Sequence, residues 1–81
     1  MTTTSLAALL ESALRDIAGD GAQPVSMALD YGSAAEPLTP RAWVERATRS
    51  LMFVQAEALD AEGRLAGAAS AVFRRPAPAT A

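Results

Sequence analysis

The chain has no cysteine, no histidine and no lysine. The absence of cysteine excludes a disulfide framework, a thiolate nucleophile and a Cys-based zinc site. The absence of histidine excludes a Ser-His-Asp triad, an imidazole base and a His-ligated metal. No apolar run approaches the roughly 18 residues that a membrane span requires. Glu11, Arg15 and Asp16 interrupt the first segment, which does not fit a secretory signal. These absences predict a cytoplasmic protein with no membrane partner. Arginine supplies all of the cationic charge, seven residues against nine Asp and Glu, for a formal net charge of −2. That balance lacks the basic footprint of a nucleic-acid binder. There is also no glycine-rich phosphate cradle and no serine nucleophile elbow.

What remains is small and rich in alanine. The 81 residues make at most one small domain. The hydrophobic share is 51%, but twenty of those residues are alanine. The core must therefore come from nine Leu, four Val, three Met, two Phe and single Ile, Trp and Tyr residues. Burial at about 25 cal/mol per Å² then roughly balances the conformational entropy lost on folding. A chain with so little to bury is expected to gain further burial from a partner subunit.

The first segment has helical period. Leu6, Leu9, Leu10, Ala13, Leu14 and Ile17 fall on one stripe. Thr3, Thr4 and Ser5 each offer an N-cap oxygen, and Gly19 or Gly21 suits the position just past the helix end. The period then changes to two. Val25, Met27, Leu29 and Tyr31 alternate with Ser26, Ala28 and Asp30, and Gly32 to Pro40 reads as a connection. Two further alternating runs follow, from Arg41 to Thr48 and from Leu51 to Leu59. Asp60-Ala61-Glu62-Gly63 has the chemistry of a hairpin turn with a three- to four-residue loop. Leu65 to Phe73 returns as a strand whose small residues suit the close approach of a packed helix or another sheet. The expected architecture is α+β, one N-terminal helix on an antiparallel sheet of about four strands. Residues 1–75 form the domain, and 76–81 a flexible tail.

The run from Trp43 to Arg74 resembles the C-terminal half of hot-dog-fold acyl-CoA thioesterases. It has their rhythm of alternating strand, Arg-bearing turn, strand with acidic residues, Asp-Gly-type turn and alanine-rich strand. The upstream helix and the Val25–Tyr31 strand lie in the order the family implies, so the likeness covers about residues 4–75. It implies a helix wrapped by an antiparallel sheet, sheets joined edge to edge between subunits, and acyl-thioester binding at the subunit interface. It also implies a shortened member, because Met1-Thr2-Thr3-Thr4 stands where the family carries a strand and a His-Gly-Gly loop. Ala8-Leu9-Leu10-Glu11-Ser12-Ala13 is similar to a helix stretch that bears the family's catalytic carboxylate. That similarity makes Glu11 the candidate catalytic residue.

Glu11 has two readings. As a general base or nucleophile it would serve thioester hydrolysis, activating water against the carbonyl or attacking it directly. As a surface residue it lies roughly 130° from the stripe centre and has Arg15 as an i, i+4 partner. Arg46 and Arg49, with Arg74 and Arg75 beside them in composition, are candidates for the phosphates of coenzyme A through charge-assisted bonds. The resemblance makes Arg49 the strongest of them, since the family often places a basic residue near that turn, and surface pairing with Glu45 and Glu57 is the competing role. Trp43, Phe53 and Tyr31 are candidates for lining an acyl pocket; read structurally, Phe53 is core and Trp43 interface. Asp60 and Glu62 are turn residues, and no metal site is expected. The predicted function is acyl-CoA binding or hydrolysis by a homodimer or higher homo-oligomer, with coenzyme A as part of the substrate and no separate cofactor. The alternative is a non-catalytic acyl-binding or protein-interaction module.

Overall fold

The computed structural model of the chain describes residues 5–32 and 37–76. Helix α1 (Leu6–Ala18) begins at Ser5, whose Oγ accepts from the Ala8 amide at 3.0 Å. That contact satisfies one of the amides that a helix start leaves without a partner. The helix ends at Gly19, which takes a φ of 93° while its N–H reaches the Arg15 carbonyl. Glycine adopts this backbone region without steric cost. Both ends therefore follow the sequence signals, with Thr3 and Thr4 lying outside the described residues.

Four strands follow: β1 (Gln23–Tyr31), β2 (Thr39–Ala47), β3 (Leu51–Leu59) and β4 (Leu65–Arg74). They form one antiparallel sheet in the order β1-β4-β3-β2. This is the expected helix on a four-strand sheet. The first two strands start earlier than the alternation suggested, at Gln23 and Thr39, and so take in Pro24 and Pro40. A proline cannot donate to a ladder, but the start of an edge strand leaves one amide without need of a partner. The hairpin connection between β3 and β4 spans residues 60–64, slightly longer than expected. Apart from Pro76, the predicted tail lies outside the described residues.

The helix covers one face of the sheet, packing on β2, β3 and β4 and only marginally on β1. Leu10 and Leu14 are fully buried against Val54, Ala56 and Ala58 of β3 and Ala69, Ala71 and Phe73 of β4. Among the described residues, the largest wholly enclosed side chains are Leu10, Leu14, Val54 and Phe73. Each contributes about 1.5–3 kcal/mol by burial, so the alanines matter chiefly by letting the layers approach. Gly67 shows how close they come. A Cβ added there would stand 2.7 Å from Cδ2 of Leu6.

The β3–β4 turn is stapled by Asp60. Its Oδ1 accepts from the Glu62 and Arg64 amides at 3.0 and 2.8 Å, and its Oδ2 accepts from Arg64 Nε at 3.1 Å. The Arg64 amide bond, helped by the Glu62 amide and the Arg64 charge, holds the carboxyl below the ordinary aspartate value against the opposing effect of burial.

Candidate functional site

The sheet separates the candidate residues into two groups. In β3 the even-numbered side chains from Val54 to Ala58 are buried beneath the helix, and the odd-numbered ones turn to the outer face. Phe53 therefore lies on the outer face, half-buried, and the core aromatic is Phe73. This corrects the structural reading of Phe53 as core. Period-two counting placed it opposite Val54 but did not say which side the helix would cover. Trp43 pairs with Gln55 and Arg46 with Phe53, so both share that outer face. The Arg46 guanidinium stands 5.8 Å from the Phe53 ring centroid, within cation–π range. Glu11 sits on the helix, across the sheet from all three.

Trp43 anchors a small network that composition alone does not reveal. Its Nε1 donates to Glu45 Oε2 at 3.0 Å, and the Arg41 guanidinium lies 5.8 Å from its ring. Arg41 also donates to Glu57 Oε1 through Nε at 2.8 Å and Nη2 at 2.6 Å. Arg41, Trp43 and Glu45 alternate along β2, and that alternation was the available signal for grouping them.

One end of the sheet gathers cationic charge. Arg46 lies near the end of β2, Arg49 in the turn between β2 and β3, and Arg74 and Arg75 at the end of β4. Arg75 ties this end together, its N–H donating to the Ser50 carbonyl and its Nη1 to that of Thr48. Among the described residues, the ion pairs belong to Arg15, Arg41 and Arg64, and none of these four arginines has a carboxylate partner. A rim of four guanidinium groups on a net-acidic chain can accept a multiply charged oxyanion.

On the helix side, Glu11 Oε2 accepts from Arg15 Nε at 2.8 Å, with both side chains about half exposed. It borders an open groove of about 340 Å³ shared with Ala8, Ser12, Arg15 and Asp16. A second groove, about 350 Å³, runs between the helix and β2; Leu9, Ala13, Ile17, Pro40 and Ala42 form its apolar lining. Tyr31 is well exposed on β1, away from both grooves. No helix among the described residues is long and apolar enough to cross a membrane.

No protein-family model and no curated protein matches the chain. Among solved structures it is similar to the BH2602 protein from Bacillus halodurans with CoA, at 15% identity and a TM-score of 0.70. That match covers 80% of this chain and 51% of the other. It is also similar to a protein from the thioesterase superfamily, at 24% identity and a TM-score of 0.59, covering 65% of this chain and 42% of that one. The chain thus has a thioesterase-like hot-dog fold of one helix on an antiparallel sheet, and it spans about half the length of the solved chains it matches.

Proposed function

We propose that this chain binds a CoA-type acyl thioester in the cytoplasm, as part of a homodimer or higher homo-oligomer. The main support is the likeness over 80% of the chain to a protein solved with CoA. The cationic rim adds chemistry to that likeness. Arg46, Arg49, Arg74 and Arg75 offer forked donors to phosphate oxygens, and Trp43 and Phe53 offer apolar surface alongside. Glu11 and the outer-face residues stand on opposite sides of one sheet. A ligand that reaches both must cross an open sheet edge or span two copies, and this gives the oligomer a role.

Hydrolysis is the second step of the reading, favoured by the position of Glu11 and Ser12 along an open groove. The Glu11 carboxylate takes a proton from water as its oxygen attacks the thioester carbonyl. The tetrahedral intermediate then collapses with cleavage of its C–S bond to the carboxylic acid and a thiolate, and the thiolate takes the proton held by Glu11. Arg15 Nε engages only Oε2, so Oε1 is the oxygen that would take the proton. In the non-catalytic alternative the chain only binds.

Titration calorimetry with free coenzyme A tests binding. The double variant Arg46→Ala/Arg49→Ala is expected to weaken it by about tenfold or more, since charged hydrogen bonds are each worth about 1.5–3 kcal/mol. No binding by the unaltered chain would end the ligand proposal and leave the protein-interaction alternative. Hydrolysis assays on short, medium and aryl acyl-CoA then separate the two ligand readings. Turnover lost in Glu11→Gln supports the base, turnover unchanged in that variant removes it, and binding with no turnover in either leaves the non-catalytic module.

A further inference from the structure

Strand register sets two cross-strand pairs side by side on the outer face of the sheet. Trp43 lies opposite Gln55, and Arg46 lies opposite Phe53. Gln55 and Phe53 are two residues apart on β3, so the pairs stand about 7 Å from each other along the strands. On β4, Ser70 lies opposite Gln55 and Val72 opposite Phe53, and all four of these side chains are partly exposed. The arrangement uses the face of the sheet and not its edges.

Trp43 is held as a flat platform. Its Nε1 donates to Glu45 Oε2 at 3.0 Å, and Arg41, itself bonded to Glu57, lies 5.8 Å from its ring. The residue is nonetheless 37% exposed. An indole whose polar edge is satisfied and whose ring still meets water suits stacking against another flat ring. Beside it, the Gln55 amide offers a donor and an acceptor, the combination that reads the N6 and N7 edge of adenine. Cations stand on the other side. Arg46 lies 5.8 Å from the Phe53 ring centroid, and Arg74 ends β4 opposite Leu51. Neither pairs with a carboxylate among the described residues. A spacing of about 7 Å is of the order that separates a base from the phosphate on its own ribose.

We infer that the outer face holds the nucleotide end of the ligand, an adenosine phosphate. Trp43 stacks the purine, Gln55 reads its edge, and Arg46 with Arg74 takes the phosphate. This rests on the coenzyme A reading for the ligand's chemistry and adds which part of the ligand lies where. It gives Trp43 to the base and leaves the acyl end to the helix side of the sheet, where Glu11 stands.

The chain has one tryptophan, so its fluorescence reports on the site without a label. Adenosine 3′,5′-bisphosphate, which has the base and phosphates but no thiol arm, should quench that emission to saturation. By calorimetry, Trp43→Ala should weaken its binding by about tenfold, and Trp43→Phe should recover most of the loss. Gln55→Ala should cut the preference for adenosine over guanosine 3′,5′-bisphosphate by about tenfold, the discrimination that a bidentate contact supplies. An unchanged preference in that variant overturns the inference. So does coenzyme A that binds by calorimetry without quenching, or with equal affinity to Trp43→Ala, and either result leaves the coenzyme A reading standing. Bisphosphate that quenches while coenzyme A fails to bind supports the nucleotide site and ends the coenzyme A reading. Binding of neither probe overturns both.

Discussion

The two faces of the sheet are built from different materials. Beneath the helix, β3 and β4 present Val54, Ala56, Ala58, Ala69, Ala71 and Phe73, all at most 4% exposed. On the outer face the same two strands carry Leu51, Phe53, Gln55, Glu57, Ser70 and Val72, all partly exposed, and β2 adds Arg41, Trp43 and Arg46. One face stores the folding energy of a small chain. The other holds aromatic and charged groups that a minimal core has no use for, which is where the candidate ligand and partner contacts concentrate. The helix-side groove, with Glu11 outside the core, stands between these extremes.

The largest expected effect tests that division directly. Leu14→Ala removes one of the largest enclosed side chains among the described residues and should cost about 2–5 kcal/mol in chemical denaturation. Phe53→Ala, a bigger truncation on the outer face, should cost only about 1 kcal/mol in dilute protein, because the ring is already partly in water. Equal losses would break the comparison. Next, Ser5→Ala removes the N-cap oxygen at 3.0 Å from the Ala8 amide and should lower stability by about 1 kcal/mol, showing how far the helix depends on its own ends rather than on the face it covers.

The smallest effect concerns pH. Asp60 is held below its ordinary value by the Arg64 and Glu62 amides and the Arg64 charge. A carboxyl with a depressed folded pKa stabilises the fold above its unfolded value of about 3.8, and that contribution is lost as pH falls through the lower folded value. Asp60→Asn should therefore lower the melting temperature slightly at neutral pH, and the gap to the unaltered chain should close as pH falls below about 4. An unchanged acid limb would show that the turn staple makes no pH-dependent contribution to the fold.

Much of the fold was legible because each element carries its own period and punctuation. Leu10 and Leu14 followed from helical spacing, Ser5 and Gly19 from capping chemistry, and β3 from strict alternation between Leu51 and Leu59. The prolines misled, since Pro40 reads as a breaker until it is known to open an edge strand. The candidate site was less legible. Glu11, Trp43, Arg46, Arg49 and Phe53 could be nominated by residue type and resemblance, but a period of two gives alternation without saying which side is inside. The cationic rim also needed coordinates, because Arg46, Arg49, Arg74 and Arg75 come to the same end of the sheet only when β4 folds back along β3.

The sequence by itself determined the number and kind of elements, because hydrophobic period, caps and turn residues act over a few neighbouring positions. Only the tertiary structure decided which face the helix covers and which strands become edges. Those are long-range choices, settled by where the few large apolar side chains find mutual burial. That choice left Trp43 and Phe53 on the outer face and put β2 at one end of the strand order among the described residues.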